Sequence, residues 1–185
     1  MEEHRHLSLQ ELEAGLPEIC AAPKAAGALE LIVRRAGPGR REALEKGELD
    51  AAEGLIGDNW KARGSSRTPD RSADPDTQIT VMNSRVAALL AGEKNRWQLS
   101  GDQLFLDLDL SAANLPPGTR LALGSAVLEV TAPPHTGCRK FADWFGPDAV
   151  TFINSPAAKA LRLRGLNAKV VKSGAVKLGD LARKL

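Results

Sequence analysis

Tyrosine is absent from this chain, and four phenylalanines and three tryptophans supply all of its aromatic side chains. Aliphatic residues must therefore build most of any core. Single-stranded nucleic acid stacks on interleaved aromatics, and Trp60, Trp97 and Trp144 are widely scattered, so an RNA-binding barrel is the least supported reading. Cysteine is nearly absent too. The only two, Cys20 and Cys138, lie far apart with no CxxC pair, which leaves no disulfide framework. Two of the three histidines sit at the extreme N-terminus, so a closed four-ligand zinc site lacks donors. No stretch approaches the roughly 18–20 apolar residues that span a bilayer. The charged start Met1-Glu2-Glu3-His4-Arg5-His6 is followed by no apolar signal core. A cytoplasmic protein with free thiols is expected, without a membrane or nucleic-acid partner. GxGxxG, Walker, GxSxG and HExxH motifs are all missing, which removes the usual grounds for dinucleotide, P-loop, serine-hydrolase and zinc-protease chemistry.

What is there is ordinary in amount and uneven in placement. A length of 185 residues, 43% hydrophobic and 26% charged, suits one globular domain. The net charge of +2 gives no general reason to expect nucleic acid or membrane. Residues 1–60 carry 12 acidic and 7 basic side chains. Residues 159–184 carry eight basic ones, including Lys159, Arg162, Arg164 and Lys169, against Asp180 alone. That asymmetry reads either as an anion-binding face or as a solvated surface.

The elements follow from capping, periodicity and breakers. Ser8-Leu9-Gln10-Glu11 has the form of a capping box, and with Gly15 behind it predicts a helix over 8–14. Residues 17–27 read as a linker, so the chain divides into an N-terminal helix and linker (1–27) and a main domain (28–185). Leu29–Arg35 reads as a strand ended by Gly37-Pro38-Gly39, 61–78 as a long polar loop, Gln78–Met82 as a strand, and Ser84–Leu90 as a capped helix. Leucines at 104, 106, 108 and 110 have the period of a half-buried strand. Arg120–Leu123 and Ala126–Thr131 flank Gly124-Ser125 as a hairpin. Arg139–Phe145 looks helical, and Ser155-Pro156 opens a second helix. Leu166–Val171 and Ala175–Leu178 are expected to pair as a closing hairpin. Frequent short strands with few short helices predict a mainly β fold, a barrel or folded-over sheet.

Chemistry concentrates at Cys138. It ends the loop Pro133-Pro134-His135-Thr136-Gly137, precedes Arg139 and Lys140, and stands where a helix should start. Adjacent cations and a helix start both favour the thiolate, the form that attacks sulfur or binds a soft metal. A buried, inert thiol is the competing reading. His135 can carry a proton or orient the thiol. Asp58 in Gly57-Asp58 either binds a ligand or caps a turn. Cys20 has no cationic neighbours and no evident role.

Residues 118–138, a hairpin leading through an apolar strand into a loop ending in Cys138 and continuing Arg139-Lys140-Phe141, resemble the core of molybdenum-cofactor sulfurase C-terminal (MOSC) domains. Gly54-Leu55-Ile56-Gly57-Asp58 resembles that family's Gly-Leu-x-Gly-Asp element, and Arg164–Val170 with Gly174 and Gly179-Asp180 its closing segment. The likeness covers roughly 29–181. It implies a MOSC-type β-barrel with Cys138 at a pocket for molybdenum cofactor (molybdopterin). There Cys138 would either relay sulfur as a persulfide or ligate molybdenum for reduction of N-hydroxylated compounds, with His135 assisting. Arg139, Lys140, Arg162, Arg164 and Asp58 would be the cofactor-binding candidates, arginine forks being suited to a pterin's phosphate. The implied partners are a cysteine desulfurase or a molybdoenzyme, and any pyridoxal phosphate would belong to a partner only. Gly137 replaces the proline that many relatives place before the cysteine, and 61–78 lacks the His-Gly-Gly element of reductase-like members. The alternative is a non-catalytic module that holds an anionic small molecule on a basic face.

Overall fold

The computed structural model of the chain describes residues 5–137 and 139–185. Its strands are β1 (Ala26–Gly37), β2 (Arg40–Leu44), β3 (Lys46–Asp50), β4 (Gly54–Leu55), β5 (Ile79–Asn83), β6 (Leu104–Leu106), β7 (Arg120–Leu123), β8 (Ala126–Val130), β9 (Leu166–Lys172), β10 (Gly174–Lys177) and β11 (Leu181–Lys184). Its helices are α1 (Leu9–Ala14), α2 (Leu16–Cys20), α3 (Trp60–Arg63), α4 (Ser84–Ala91), α5 (Arg139–Phe145), α6 (Pro147–Asn154) and α7 (Pro156–Leu161).

Seven strands close into a barrel in the order β11-β7-β8-β9-β5-β6-β1, with β1 returning to β11. Closure removes the free edges of these seven strands, and β2 extends the sheet outward from β1. All pairings are antiparallel except β5 with β6, whose parallel crossover runs through α4 and a 3-10 turn at Lys94–Ser100. The long β1 makes the closure work. Residues 26–28 pair with β11, 29–32 with β6, and 32–37 with β2, so β11 and β2 occupy one edge of β1 in succession.

The register of β1 shifts between Leu29 and Leu31 against β6. A bulge exchanges the two faces of a strand. Leu29 and Ile32 accordingly point into the barrel, while Leu31 and Val33 join a second apolar cluster outside the wall. Sparse aromatics are allotted just as unevenly. All four phenylalanines, Phe105, Phe141, Phe145 and Phe152, lie in the outer cluster under the helices. The barrel interior is packed by Leu, Ile, Val and Ala.

The N-terminal helix forms as its capping box predicts, with Ser8 Oγ accepting from Glu11 N and Glu11 returning to Ser8 N. Residues 17–27 are not a simple linker: α2 occupies part of them and β1 begins at Ala26. Leu12 and Ile19 are buried in the outer cluster, so this segment packs on the barrel. Three other expectations are corrected. The leucine-alternating strand ends at Leu106, although Leu108 and Leu110 stay buried and Asp107 N and Asp109 N still donate to Ala28 O and Pro23 O. β10 does not pair with β9; it joins β3 and β4 in a separate three-stranded sheet. The closing strand is β11, which the sequence reading missed. The hairpin β7–β8, the loop after it, and the Ser155-capped helix α7 form where expected.

Candidate functional site

The loop from Ala132 to Gly137 leaves β8 at one end of the barrel and leads toward α5. It is tied down on both sides. His135 Nε2 lies 2.8 Å from Asp102 Oδ1, and Gly137 N donates to Asn154 Oδ1 at 3.3 Å. Asn167 Nδ2 also donates to Pro133 O at 3.1 Å.

Asp102 is the anchor of this arrangement. Its side chain has 0% exposure, and it follows the 3-10 turn that leads into β6. Oδ2 accepts from Arg164 Nη1 at 2.6 Å and from Ser100 Oγ at 2.8 Å. Arg164 spends a second nitrogen on Ser100 O at 2.9 Å and lays its guanidinium over the Phe141 ring, 5.0 Å from the centroid. Burial alone would raise the Asp102 carboxyl, but Arg164 and His135 beside it hold it well below the usual carboxylate range. His135 is pushed down, first by burial and then by the Arg164 cation, against the upward pull of Asp102. The group is therefore an ionised carboxylate between a permanent cation and a neutral imidazole. Nε2–H then faces Asp102, and Nδ1 keeps its lone pair free among the described residues.

Arg164 reaches this position through an unusual backbone. Gly165 has φ +101°, and a Cβ there would stand 2.2 Å from Val81 O. Only glycine lets the chain cross β5 so closely.

A second ion pair flanks the first. Arg35, in β1, forks onto Asp58 with Nε–Oδ2 2.9 Å and Nη2–Oδ1 2.8 Å, and its Nη1 reaches Gly101 O at 3.4 Å. Asp58 also accepts from Arg35 N and Trp60 N. Both of its oxygens are thus committed to fixing Arg35 and capping the turn into α3.

Between the two pairs opens a cleft of about 400 Å³. Six cationic side chains line it, Arg35, Arg41, Arg63, Arg67, Lys140 and Arg164, together with His135. No carboxylate lies among its described lining residues. Arg35 and Arg164 have their own acidic partners, whereas Arg41, Arg63, Arg67 and Lys140 have none among the described residues. Arg63 is pushed down by partial burial and by the nearby Arg35 cation, against an upward pull from Asp58.

The expected site residues separate clearly. His135 and Arg164 meet on Asp102, and Lys140 lines the cleft. Arg162 closes α7 with φ 50° and donates to Leu115 O at 2.6 Å; it lines an adjoining cavity of about 360 Å³ behind the loop. Arg139 is exposed and lines neither cavity. Cys138 lies outside the described residues. The basic run at 159–184 does not form one face: Lys169 pairs with Asp76 and Glu129, Lys184 donates to Asn114 O, and only Arg164 reaches the cleft. The cleft's cations come mainly from 35–67, and two of them, Arg35 and Arg41, fall within the first 60 residues, where acidic side chains outnumber basic ones. Asp102 and Ser100 also went unread, the one available signal being a polar Ser-Gly-Asp-Gln run directly before an apolar strand. Among the described residues no cluster of three or more His, Cys, Asp or Glu could hold a metal ion. No described helix is long and apolar enough to cross a membrane.

A family model, the MOSC domain, matches residues 68–183. That span takes in the cleft loop, Asp102 and Arg164, but neither β1 nor the Gly54–Asp58 element. Solved structures with a similar fold include YuaD from Bacillus subtilis, at 19% identity and TM-score 0.59, covering 85% of this chain and 94% of that one. YiiM from Escherichia coli is similar at 17% identity and TM-score 0.55, covering 85% of this chain and 69% of that one. YiiM from Geobacillus stearothermophilus gives 14% identity and TM-score 0.52, with 88% and 73% coverage. No curated protein matches the chain. At these identities the structural likeness establishes the fold.

Proposed function

The chain belongs to the MOSC domain family, and from that premise we propose that its cleft binds the phosphate-bearing pterin of a molybdenum cofactor, with Cys138 supplying sulfur chemistry. The observation that carries this reading is the cleft's charge: four cations without acidic partners among the described residues converge on a cavity with no described carboxylate in its lining. The residues fit the group. Arginine forks suit phosphate oxygens, and Arg41, whose Nε is buried without a hydrogen-bond partner among the described residues, has donor capacity to spare. Arg41, Arg63, Arg67 and Lys140 would hold the phosphate. Pro134 would offer apolar surface to a ring system, and Thr77, Thr80 and Asn167 further polar contacts. When bound, the cofactor supplies a redox-active molybdenum held by sulfur.

This chain's own residues set the surroundings of that metal. His135 presents a neutral imidazole to the cleft and can accept a proton there. Asp102 keeps the ring in place, and Arg164 keeps Asp102 ionised. Cys138 follows His135 by three residues in sequence and would serve either as a thiolate ligand to molybdenum or as a persulfide that hands sulfur to an acceptor. In the persulfide case a cysteine desulfurase would be the donor.

The same basic cleft favours a second reading, a non-catalytic module for an anionic small molecule in which Cys138 is a spectator. Protein purified from a cofactor-replete host separates the two. Molybdenum and pterin present together in wild type and depleted in Cys138→Ser, with inorganic phosphate still bound, support the cofactor reading. Unchanged ligand content in Cys138→Ser supports the binding module, and persulfide trapping on Cys138 distinguishes sulfur relay from ligation.

A further inference from the structure

The cleft does not end at Arg41. A second cavity, of about 480 Å³, opens beside it and shares Arg35, Arg41, Arg63 and Lys140. Its far end is formed by the β1–β2 turn, Gly37-Pro38-Gly39, with Arg40, Asn59 and Ala62. No carboxylate occurs among its described lining residues either. The two cavities are thus lobes of one groove, an inner lobe under His135 and an outer lobe under the β1–β2 turn, with the shared cations at their junction.

Two observations mark the outer lobe as built for a ligand. Asn59 Oδ1 and Arg41 Nε are buried polar atoms with no hydrogen-bond partner among the described residues, and both belong to side chains that line this lobe. Both atoms keep hydrogen-bonding capacity that no described residue uses. Nothing lies within 4 Å of where a Cβ would stand on Gly37 or Gly39, so the far end is open. The charge is also more than one phosphate monoester would neutralise. That ligand carries at most about two negative charges, against four cations of the groove that lack an acidic partner among the described residues.

We infer that the groove accepts a diphosphate ester, with one phosphoryl group in the inner lobe and the second over the Arg41–Arg63 junction, the remainder of the ligand extending under the β1–β2 turn. This rests on the inner lobe being a phosphate site, as in the function proposed above, and specifies the class of anion it takes. A diphosphate places its added charge where Arg41, Arg63 and Lys140 face both lobes. Its ester substituent would meet Asn59, whose free carbonyl oxygen accepts from a hydroxyl or amine.

Calorimetry on the full chain, free of cofactor, tests this with inorganic phosphate and pyrophosphate at one fixed salt concentration. Pyrophosphate is expected to bind at least about tenfold more tightly, the equivalent of about 1.4 kcal/mol. Ala62→Glu places a carboxylate in the outer lobe alone, on an exposed position that leaves the core untouched. It should weaken pyrophosphate severalfold while changing phosphate little, and Arg40→Gln should act in the same direction. Pyrophosphate binding no tighter than phosphate overturns the inference and leaves the phosphate site standing. Equal weakening of both anions by Ala62→Glu also overturns it, because the groove would then be a single undivided site. Failure of phosphate itself to bind removes the underlying cofactor reading, and the inference with it.

Discussion

Nε2 of His135 lies 2.8 Å from Oδ1 of Asp102, a carboxylate with no exposed side-chain surface whose other oxygen is held by Arg164. This contact decides which face of the imidazole the cleft receives. An ionised carboxylate can only accept, so the ring proton of neutral His135 sits on Nε2. Nitrogen-detected NMR of the His135 ring is expected to show the Nε2–H tautomer at pH 7. It should also show a titration midpoint below the ordinary histidine value, in line with burial and the Arg164 cation. An imidazolium at pH 7 would mean that Asp102 outweighs both.

The same depressed values set a pH dependence of stability. Unfolded, histidine titrates near about 6.5 and aspartate near about 3.9. Both groups bind protons less readily when folded. Between each unfolded value and its lower folded value the unfolded chain holds more protons, so stability falls as pH falls. Loss should begin below about pH 6.5 from His135 and deepen below about pH 5 as Asp102 adds its share. Urea unfolding at pH 7.5, 6 and 5 measures it, and His135→Gln should flatten the upper part of the slope while leaving the lower part. Stability that rises on acidification from pH 7 to 6 would show instead a charged His135 paired with Asp102.

Breaking the buried pair should cost far more than breaking a surface one. Arg164→Met leaves Asp102 buried with only His135 and Ser100, and removing one partner of a buried ion pair costs about 3–5 kcal/mol. Arg120 and Glu129 form an exposed pair at 3.1 Å, and Arg120→Met should cost about 1 kcal/mol or less. Chemical denaturation of the two variants side by side checks the contrast. Comparable losses would mean that Arg164 is solvated in solution. In Arg164→Met the His135 midpoint should also move upward, since a neighbouring cation has gone and Asp102 remains.

Local signals in the sequence were legible where one short segment decides the outcome. Ser8 and Glu11 cap α1, Gly124-Ser125 turns the β7–β8 hairpin, and Ser155-Pro156 opens α7. Resemblance to MOSC domains supplied the barrel. What could not be read depends on distant partners. β10 follows β9 after one residue, so a hairpin is the local expectation, yet Ser173 bonds with Asp50 and Ala51 and swings the chain onto β3. Helix α6, unforeseen from the sequence, starts at Pro147, where proline sits in the first turn. The cleft is the clearest case. Its cations come from β1, β2, α3, the loop beyond α3, α5 and the approach to β9, so no window of sequence shows them together.

Gly165 offers the last and most severe test of how the site is built. Its φ of +101° is a conformation that side-chain-bearing residues rarely adopt, and a Cβ would stand 2.2 Å from Val81 O and 3.4 Å from Met82 Cα. The neighbour is backbone of β5, a wholly buried barrel strand paired on both edges, so it cannot give way as a flexible side chain would. The strained backbone conformation alone costs about 1–3 kcal/mol, and relief of the clash must move either β5 or the segment carrying Arg164. Gly165→Ala is therefore expected to lower stability by more than that backbone cost and to loosen the Arg164–Asp102–His135 chain. The NMR midpoint of His135 should shift with it. Gly179 also has positive φ, at +87°, but has nothing within 4 Å of a Cβ, so Gly179→Ala should cost only the backbone share. Equal losses at the two positions would show that the close crossing at Gly165 is absent in solution, and with it the constraint that aims Arg164 at Asp102.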